Sequence, residues 1–262
     1  MESGVSVDDF PTAGNPDLAP GDPIALPPVA PGIALWWCPL ERTDAEMARL
    51  SAWLSPAEHE RAARFGTAAL QRRWIAGRGA LRLLLARTVG IDPGDVALAR
   101  GTRGRPQLVD ASLGGDFNVS HTLAVALVAV ARGLPSATRI GVDIEHQDRG
   151  VGADRLAPKF LTPREHATLD PLAADARRQR FLRHWTCKEA MSKATGDGLA
   201  APFGRIDVDI DAGPRLLDGP PPYAPPAWAL HAARVPGGYF ATVAVWSGGR
   251  AAPEPDSAAN SV

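Results

Sequence analysis

Lysine is scarce in this sequence of 262 residues, and so are cysteine, tyrosine and long apolar runs. Three lysines stand against 25 arginines, and the two cysteines are Cys38 and Cys187. Two cysteines give no disulfide framework, so we expect a reducing compartment. No apolar run approaches the roughly 18 residues of a transmembrane helix, and the N-terminus lacks the basic and apolar segments of a signal peptide. We therefore expect a cytoplasmic protein with no membrane partner.

Basic residues are also absent from both ends of the chain. Residues 1–32 contain five acidic residues and residues 251–262 contain two, with no basic residue in either segment. Both segments are rich in proline, glycine and alanine, and we predict that they are disordered tails. The remaining chain carries 22 acidic and 28 basic residues, a balance of about +6 that suits an anionic substrate and acidic protein partners. We expect no nucleic-acid partner, because no binding motif or aromatic stripe accompanies the charge.

Two of the three lysines lie in one predicted helix. Its sequence is Trp185-Thr186-Cys187-Lys188-Glu189-Ala190-Met191-Ser192-Lys193-Ala194, and it ends at Gly196-Asp197-Gly198. Trp185, Glu189 and Lys193 recur every four residues and therefore share one face of the helix. An exposed Glu–Lys ion pair would show the same spacing. In a chain that otherwise prefers arginine, however, a retained lysine favours chemistry that needs a compact ammonium.

Two carboxylates lie on one face of a predicted strand. The segment Ile140-Gly141-Val142-Asp143-Ile144-Glu145 is apolar except at Asp143 and Glu145, whose side chains project from the same face because strand side chains alternate. Hard oxygen ligands of this kind suit Mg²⁺, which substrate phosphates usually complete. Glu189 would add a third carboxylate if its helix packs across this strand. The alternative is a pair of ordinary solvated carboxylates.

Polar and basic residues upstream complete the candidate site. Asn118, Ser120 and His121 precede the apolar run from Leu123 to Ala131, and a loop with Arg100, Arg103 and Arg105 comes before them. Glycine-exposed amides and arginine forks make this loop a candidate phosphate clamp. The alternatives are a basic surface turn and a structural histidine at a strand start.

The periodicity predicts a mixed α and β chain. We predict helices over Asp44–Trp53, Pro56–Phe65, Ala68–Val89, Arg155–Phe160, Pro163–Leu169 and Ala174–Ala194. After a first strand at Ile33–Cys38, we predict one sheet from Val96–Ala99, Phe117–Val119, Leu123–Ala131 and Arg139–Asp143. A second, antiparallel sheet would contain Ile206–Ile210, Trp228–Arg234 and Tyr239–Val245.

Four motifs, in this order, carry a family resemblance. They are Arg103-Gly104-Arg105-Pro106, Phe117-Asn118-Val119-Ser120-His121, Gly141-Val142-Asp143-Ile144-Glu145, and the helix motif from Trp185 to Leu199. Over about residues 33–250 the chain resembles the 4'-phosphopantetheinyl transferases of the surfactin-synthetase-activating type, which usually have lysine where this chain has Arg105. The resemblance implies an α+β fold of two similar halves, 33–137 and 138–250, related by pseudo-twofold symmetry. Each half would be a small antiparallel sheet packed with helices.

The resemblance also implies a reaction. The phosphopantetheine arm of coenzyme A would pass to a serine of an apo carrier protein of acyl, peptidyl or polyketide type, releasing adenosine 3',5'-bisphosphate from a monomeric enzyme. The implied ligands of Mg²⁺, or of Mn²⁺ in its place, are Asp143, Glu145 and Glu189. The implied catalytic residues are Glu189, Lys193 and His121, and either Glu189 or a water takes the serine proton. The implied coenzyme A contacts are Arg61, Arg73, Arg100, Arg103, Arg105, Asn118, Ser120, His121 and Lys193.

Two rival functions fit parts of the same pattern. One is a Mg²⁺-dependent pyrophosphatase of coenzyme A or nucleotides, which would use water in place of serine. Glu189 stands alone in its helix, which argues against the acid-rich helix of such a hydrolase. The other is a non-catalytic module that binds coenzyme A or a carrier protein, and the intact set of Asp143, Glu145, Glu189 and Lys193 argues against it.

Overall fold

Two helices of 22 residues each organise the structure, one in each half of the chain. The computed structural model describes residues 22–101, 104–109, 115–135 and 137–248. The first half contains β1 (Ile24–Ala30), β2 (Ile33–Pro39), α1 (Asp44–Ala52), α2 (Pro56–Ala63), α3 (Ala68–Val89), β3 (Leu98–Arg100), β4 (Pro106–Leu108), β5 (Gly115–Thr122) and β6 (Val125–Arg132). The second contains β7 (Arg139–His146), α4 (Ala153–Phe160), α5 (Pro163–Ala167), α6 (Ala174–Thr195), β8 (Asp207–Asp209), β9 (Arg215–Asp218), β10 (Trp228–Ala232) and β11 (Tyr239–Trp246).

The two main sheets are antiparallel, as predicted for the fold class. One has the order β1-β2-β6-β5 and the other the order β10-β11-β7. Two further pairs, β3 with β4 and β8 with β9, form short separate ribbons. None of the helices in the described part of the chain is long and apolar enough to cross a membrane.

Four clusters of buried apolar side chains hold these elements together. One cluster lies between the four-stranded sheet and helices α1–α3, and includes Leu84, Phe117 and Val128. A second contains side chains from both main sheets, among them Leu127 and Val142. The third and fourth clusters pack α6 and its neighbours in the second half. The shared second cluster joins the two halves into one body.

The halves repeat a local design, which supports the predicted pair of similar α+β units. In each half a short helix begins at Pro with a Ser or Thr N-cap and a Glu three residues later, a capping box at Ser55 and again at Thr162. In each half this short helix is followed by a 22-residue helix that ends at a left-handed glycine, Gly90 or Gly196. The boundary at residues 137 and 138 stays a prediction.

Part of the predicted N-terminal tail is structured. The prediction of disorder over residues 1–32 is wrong for residues 22–32, because β1 pairs with β2 and buries Leu26. Buried Asp22 accepts hydrogen bonds from Arg49 at 2.7 Å and Arg87 at 2.9 Å. Proline in this edge strand is tolerated where the pairing is irregular, between Leu26 and Ala30. The rest of the predicted tails, residues 1–21 and 251–262, lies outside the described residues.

The predicted sheet assignments need three corrections. The strand β7 was expected beside β5 and β6 but is hydrogen-bonded to β11 in the second sheet. The strand predicted at Val96–Ala99 lies at Leu98–Arg100 and pairs with β4 alone, and the one predicted at Ile206–Ile210 lies at Asp207–Asp209 and pairs with β9 alone. Periodicity located these strands to within a few residues but not their partners, since pairing depends on long-range packing.

Candidate active site

Helix α6 lies unusually close to strand β7, and Gly141 makes this possible. A Cβ atom added at Gly141 would lie 2.7 Å from the backbone nitrogen of Ala194 and closer still to the carbonyl oxygen of Ala190. No side chain fits in this space, so the glycine of the Gly-Val-Asp-Ile-Glu motif sets the distance between helix and strand. The close approach brings Glu189 and Lys193 of α6 to the same face of β7 as Asp143 and Glu145.

Lys193 joins three elements at the centre of this site. Its Nζ donates to Asp143 Oδ1 and to Ser120 Oγ, both at 2.7 Å, and to the Val142 carbonyl at 3.1 Å. The Ser120 hydroxyl in turn donates to Asp143 Oδ1 at 2.7 Å. The other oxygen of this carboxylate, Asp143 Oδ2, is buried and has no hydrogen-bond partner among the described residues.

Glu145 lies one step further along the same strand face. It accepts a hydrogen bond from Thr122 Oγ1 at 3.2 Å and forms an ion pair with Arg149, four residues later in the chain. Burial, and after it the negative charge of Asp143, raise the pKa of Glu145 above its ordinary value, while Arg149 opposes the shift. The sequence prediction did not include Thr122 or Arg149, although Thr122 lies two residues after Ser120 and so projects from the same face of the strand.

Glu189 faces the two strand carboxylates from α6. Burial raises the pKa of Glu189 to about 7, with a further increase from the charge of Asp143 and an opposing effect of Lys193. A raised pKa means that the surrounding positive charge does not compensate for burial and for the neighbouring carboxylates. The three acidic side chains therefore form a cluster with more negative charge than Lys193 and Arg149 balance.

We tested this cluster for its fit to a divalent cation. Within the described ranges no three His, Cys, Asp or Glu side chains converge as a ready-made metal centre. Lys193 pairs with Asp143, and Arg149 pairs with Glu145. The donor chemistry nevertheless fits Mg²⁺, since all three groups offer hard oxygens and Asp143 Oδ2 is left without a partner. Metal ligation by Asp143, Glu145 and Glu189 stays a prediction.

Polar side chains of β5 bind the edge of β7 and so join the two sheets. Asp116 accepts from the backbone nitrogen of Ile140 at 2.7 Å, and Asn118 Oδ1 accepts from that of Val142 at 3.1 Å. Ser120 and Thr122 continue the same face to Asp143 and Glu145. Asn118 was predicted to contact coenzyme A. It is instead buried between the strands, with its carbonyl oxygen committed to β7.

His121 points away from Ser120, because adjacent strand residues face opposite sides. It shares its side with Phe117 and Val119, which pack on the α1–α3 cluster. Partial burial, followed by the positive charge of Lys193, lowers the pKa of His121 and keeps the ring neutral at pH 7. The two side chains therefore lie on opposite faces of β5, and their shared contact with the 3'-phosphate stays a prediction.

Arg105, a predicted phosphate contact, is held at several points within the fold. Its guanidinium donates to both carboxylate oxygens of Asp116, at 2.9 and 2.7 Å. It also donates to the carbonyl oxygens of Phe117, Ile140 and Lys193, at 3.2, 2.8 and 3.0 Å. These five contacts, three of them from Nη2, tie the Arg105 loop to β5, β7 and α6.

The remaining predicted arginines lie on the first half. Arg61 in α2 has its guanidinium 5.8 Å from the ring centre of Trp74, and Arg73 in α3 pairs with Glu41 at 3.2 Å. Glu41 follows Leu40, and the backbone nitrogen of Leu40 donates to the carbonyl oxygen of Ala124 in the turn between β5 and β6. Arg73 therefore lies near the end of the sheet that carries His121. Arg100 is exposed at the end of β3. Arg103 lies outside the described residues.

Comparisons with known proteins decide the family. The profile of the 4'-phosphopantetheinyl transferase superfamily matches residues 139–244, and that of the 4'-phosphopantetheinyl transferase N-terminal domain matches residues 36–132. The 4'-phosphopantetheinyl transferase HetI of Nostoc sp. is 41% identical over 171 residues, which cover 64% of this chain and 70% of HetI. The chain belongs to the 4'-phosphopantetheinyl transferase superfamily.

More distant members match a similar share. The phosphopantetheinyl transferase of Thraustochytrium sp. is 32% identical over 196 residues, covering 70% of this chain and 66% of its own length. The 4'-phosphopantetheinyl transferase Sfp of Bacillus subtilis is 25% identical over 172 residues, covering 66% of this chain and 72% of Sfp. The two matched profiles agree with the two halves of the superfamily fold that the motifs predicted.

The two lysines of helix α6 have different surroundings. Lys188 is fully buried, and its Nζ donates to Glu165 Oε2 at 2.5 Å and to the carbonyls of Phe203 and Phe160 at 2.7 and 2.9 Å. Lys188 therefore packs inside the second half, away from the helix face that carries Glu189 and Lys193. Sequence reasoning missed Glu165, whose signal was the capping box at Thr162.

Proposed function

We propose that this protein moves the 4'-phosphopantetheine arm of coenzyme A onto a serine of an apo acyl, peptidyl or polyketide carrier protein. The observation that carries the proposal is the cluster of Asp143, Glu145, Glu189 and Lys193 at the junction of the two halves, in a member of the 4'-phosphopantetheinyl transferase superfamily. We extend the proposal to a cytoplasmic monomer with no nucleic-acid or membrane partner.

The three carboxylates are the proposed holders of Mg²⁺, with Mn²⁺ as a substitute. When bound, the cation would neutralise the diphosphate of coenzyme A and the charge that develops on its oxygens. Lys193 would add an ammonium beside the same oxygens, since its Nζ already lies at Asp143 and Ser120. Ser120 holds Asp143 and Lys193 in place and so acts through them.

The proposed transfer forms one bond and breaks one bond. The serine oxygen of the carrier bonds to the phosphorus of the phosphopantetheine group, and the bond from that phosphorus to the leaving phosphate oxygen breaks. Adenosine 3',5'-bisphosphate leaves with the electron pair. The serine proton passes to the Glu189 carboxylate, directly or through a water, which suits a half-buried carboxylate at the open face of α6.

The geometry changes which residues we propose for the other phosphates of coenzyme A. We leave Arg105 and Asn118 out of this proposal, because the Arg105 guanidinium is bonded to Asp116 and the Asn118 carbonyl oxygen accepts from Val142; their coenzyme A contacts stay predictions. We assign the 3'-phosphate to the side of β5 that carries His121, with Arg61 and Arg73 from the adjacent helices. Neutral His121 would donate a hydrogen bond, and the arginine forks would supply the positive charge. Arg100 and Arg103 stay as predicted contacts of the loop.

One assay tests the proposal. The protein is incubated with coenzyme A, Mg²⁺ and an apo acyl carrier protein, and the carrier is weighed by mass spectrometry. We expect the mass of one phosphopantetheine group to appear on the carrier serine, and to disappear with excess chelator or in Asp143→Ala. Asp148→Ala, which removes an exposed carboxylate five residues later, is the matched control. Release of free phosphopantetheine without labelled carrier would indicate the pyrophosphatase instead.

A further inference from the structure

The turn between β5 and β6 has an unfavourable residue at its tip. Thr122 pairs with Val125, so only Leu123 and Ala124 form the turn. Leu123 has φ +49°, and it is the one non-glycine residue with positive φ in the described ranges. Two-residue hairpin turns normally place glycine, asparagine or aspartate where φ is positive, because a side chain clashes there. A leucine at this position therefore lowers the stability of the folded protein.

The same leucine is also exposed to solvent. Leu123 shows 58% of its surface, so its apolar side chain gains little from packing within the chain. Neither the turn nor the core explains a leucine here. Strained residues persist where the surroundings fix them, and they cluster at functional sites.

The position of Leu123 connects it with the candidate active site. Its neighbour Thr122 donates to Glu145, and the turn is fixed from the other side by the bond from Leu40 to the Ala124 carbonyl. Leu123 therefore stands at a fixed place on the rim of the candidate site, next to Thr122, whose hydroxyl bonds the proposed metal ligand Glu145. A protein substrate that brings a serine to this site must pass or contact that rim.

We infer that Leu123 is a specificity contact for the carrier protein, packing against apolar side chains beside the carrier's reactive serine. The inference rests on the proposed transferase function and names the protein substrate that this residue would contact. Coenzyme A is the less suitable partner for an exposed leucine, because the phosphates proposed to bind at this site need cations. A protein surface, in contrast, offers apolar side chains that gain by covering Leu123.

The test replaces Leu123 with glycine, which removes the side chain and relieves the strained backbone together. We expect KM for an apo acyl carrier protein to rise roughly ten-fold, as for loss of one buried leucine contact. The kcat at saturating carrier and the KM for coenzyme A should stay unchanged, and the melting temperature should stay the same or rise. A purely structural role would not produce weaker carrier binding in a protein at least as stable.

Two controls make the result decisive. Leu123→Asn also accepts a positive φ and should raise the carrier KM in the same way. Ile91→Ser removes an exposed apolar side chain just beyond the C-terminal end of α3. That end of α3 contacts Arg132, which is the last residue of β6 and lies at the opposite end of the strand from the turn. This variant should leave the carrier KM unchanged.

An unchanged carrier KM in Leu123→Gly would overturn the inference while leaving the transferase proposal intact. A change confined to the KM for coenzyme A would also overturn it and would assign the residue to the cofactor. If the unmodified protein labels no carrier under any condition, both the transferase proposal and this inference fail.

Discussion

Lys193 Nζ lies 2.7 Å from Asp143 Oδ1, and the same ammonium lies 2.7 Å from the hydroxyl of Ser120. One side chain thus ties helix α6 to a strand from each half of the protein. About a quarter of the Lys193 side chain remains exposed, while the carboxylate of Asp143 is almost fully buried. The ammonium is therefore placed by the fold and still open to a substrate.

The first prediction follows from that position. Lys193→Ala should lower kcat by about 10²–10³, the usual cost of losing one charge-assisted donor to a transition state. The KM for coenzyme A should change less, because the interaction strengthens as charge develops. Lys193→Arg should recover little activity, since a planar fork does not fit the place of an ammonium between Asp143 and Ser120. Carrier labelling rates with Lys159→Arg as control would check this, and near-normal activity of Lys193→Arg would contradict it.

The second prediction concerns the contact of α6 with β7. Gly141→Ala should destabilise the protein by about 1–3 kcal/mol, because the added methyl group meets the helix backbone at Ala190 and Ala194. It should also lower activity, since the helix that carries Glu189 and Lys193 must move. Gly66→Ala is the control, because a Cβ at Gly66 meets no atom within 4 Å. Urea unfolding and carrier labelling of both variants measure the two effects, and an unaffected Gly141→Ala would show that the helix is free to shift.

The third prediction separates a structural arginine from a phosphate clamp. Arg105→Ala should cost about 3–5 kcal/mol of folding free energy, because the largely buried Asp116 carboxylate loses its close cation and keeps only the more distant Arg139, at 3.6 Å, as a counter-charge. The KM for coenzyme A of the folded fraction should stay nearly unchanged. Comparison of coenzyme A with its 3'-dephospho form gives a second readout. If stability is normal and discrimination between the two is lost, Arg105 does bind the phosphate.

Much of the fold could be predicted from local signals. The helix α3 has the predicted limits, and α2 begins at the predicted Pro56, after a capping box at Ser55. The alternation that put Asp143 and Glu145 on one face also holds. What failed was partner choice, since the pairing of β7 with β11 depends on packing between distant segments. The strand β1 was missed because its prolines and acidic surroundings resemble a disordered tail.

The sequence carries a short internal repeat, with one copy in each half. Leu54-Ser55-Pro56-Ala57-Glu58-His59 is matched by Leu161-Thr162-Pro163-Arg164-Glu165-His166. In the structure Glu58 pairs with Arg78 and Arg82, and Glu165 contacts His184 and Lys188. Each pair occupies the eleventh and fifteenth residues of its 22-residue helix. A buried acid held by the following long helix is therefore a repeated element of both halves.

The fourth prediction tests the buried pair in the second half. Burial lowers the pKa of Lys188 and raises that of Glu165, so the two charges depend on each other. Lys188→Met should cost about 3–5 kcal/mol, because it leaves Glu165 buried without its cation. Adding Glu165→Gln should restore part of the loss, since the amide oxygen can still accept one of the bonds from Thr162 and Val208. Urea unfolding of the single and double variants measures this, and two additive losses would contradict it.

The last prediction concerns acid stability and His184. Both ring nitrogens of His184 are buried without a hydrogen-bond partner among the described residues. Burial, and then the charge of Lys188, lower the pKa of His184 from 6.5 to about 3. Between these values the unfolded chain binds a proton that the folded chain does not, so stability is lost as the pH falls below about 6.5. The loss from this group should be about 2 kcal/mol at pH 5.

His184→Leu should remove that part of the pH dependence, whereas His59→Leu on the exposed side of α2 controls for the substitution itself. Urea unfolding at pH 7, 6 and 5 gives the slopes, and parallel slopes for His184→Leu and the unmodified protein would show that His184 takes up its proton in the folded state.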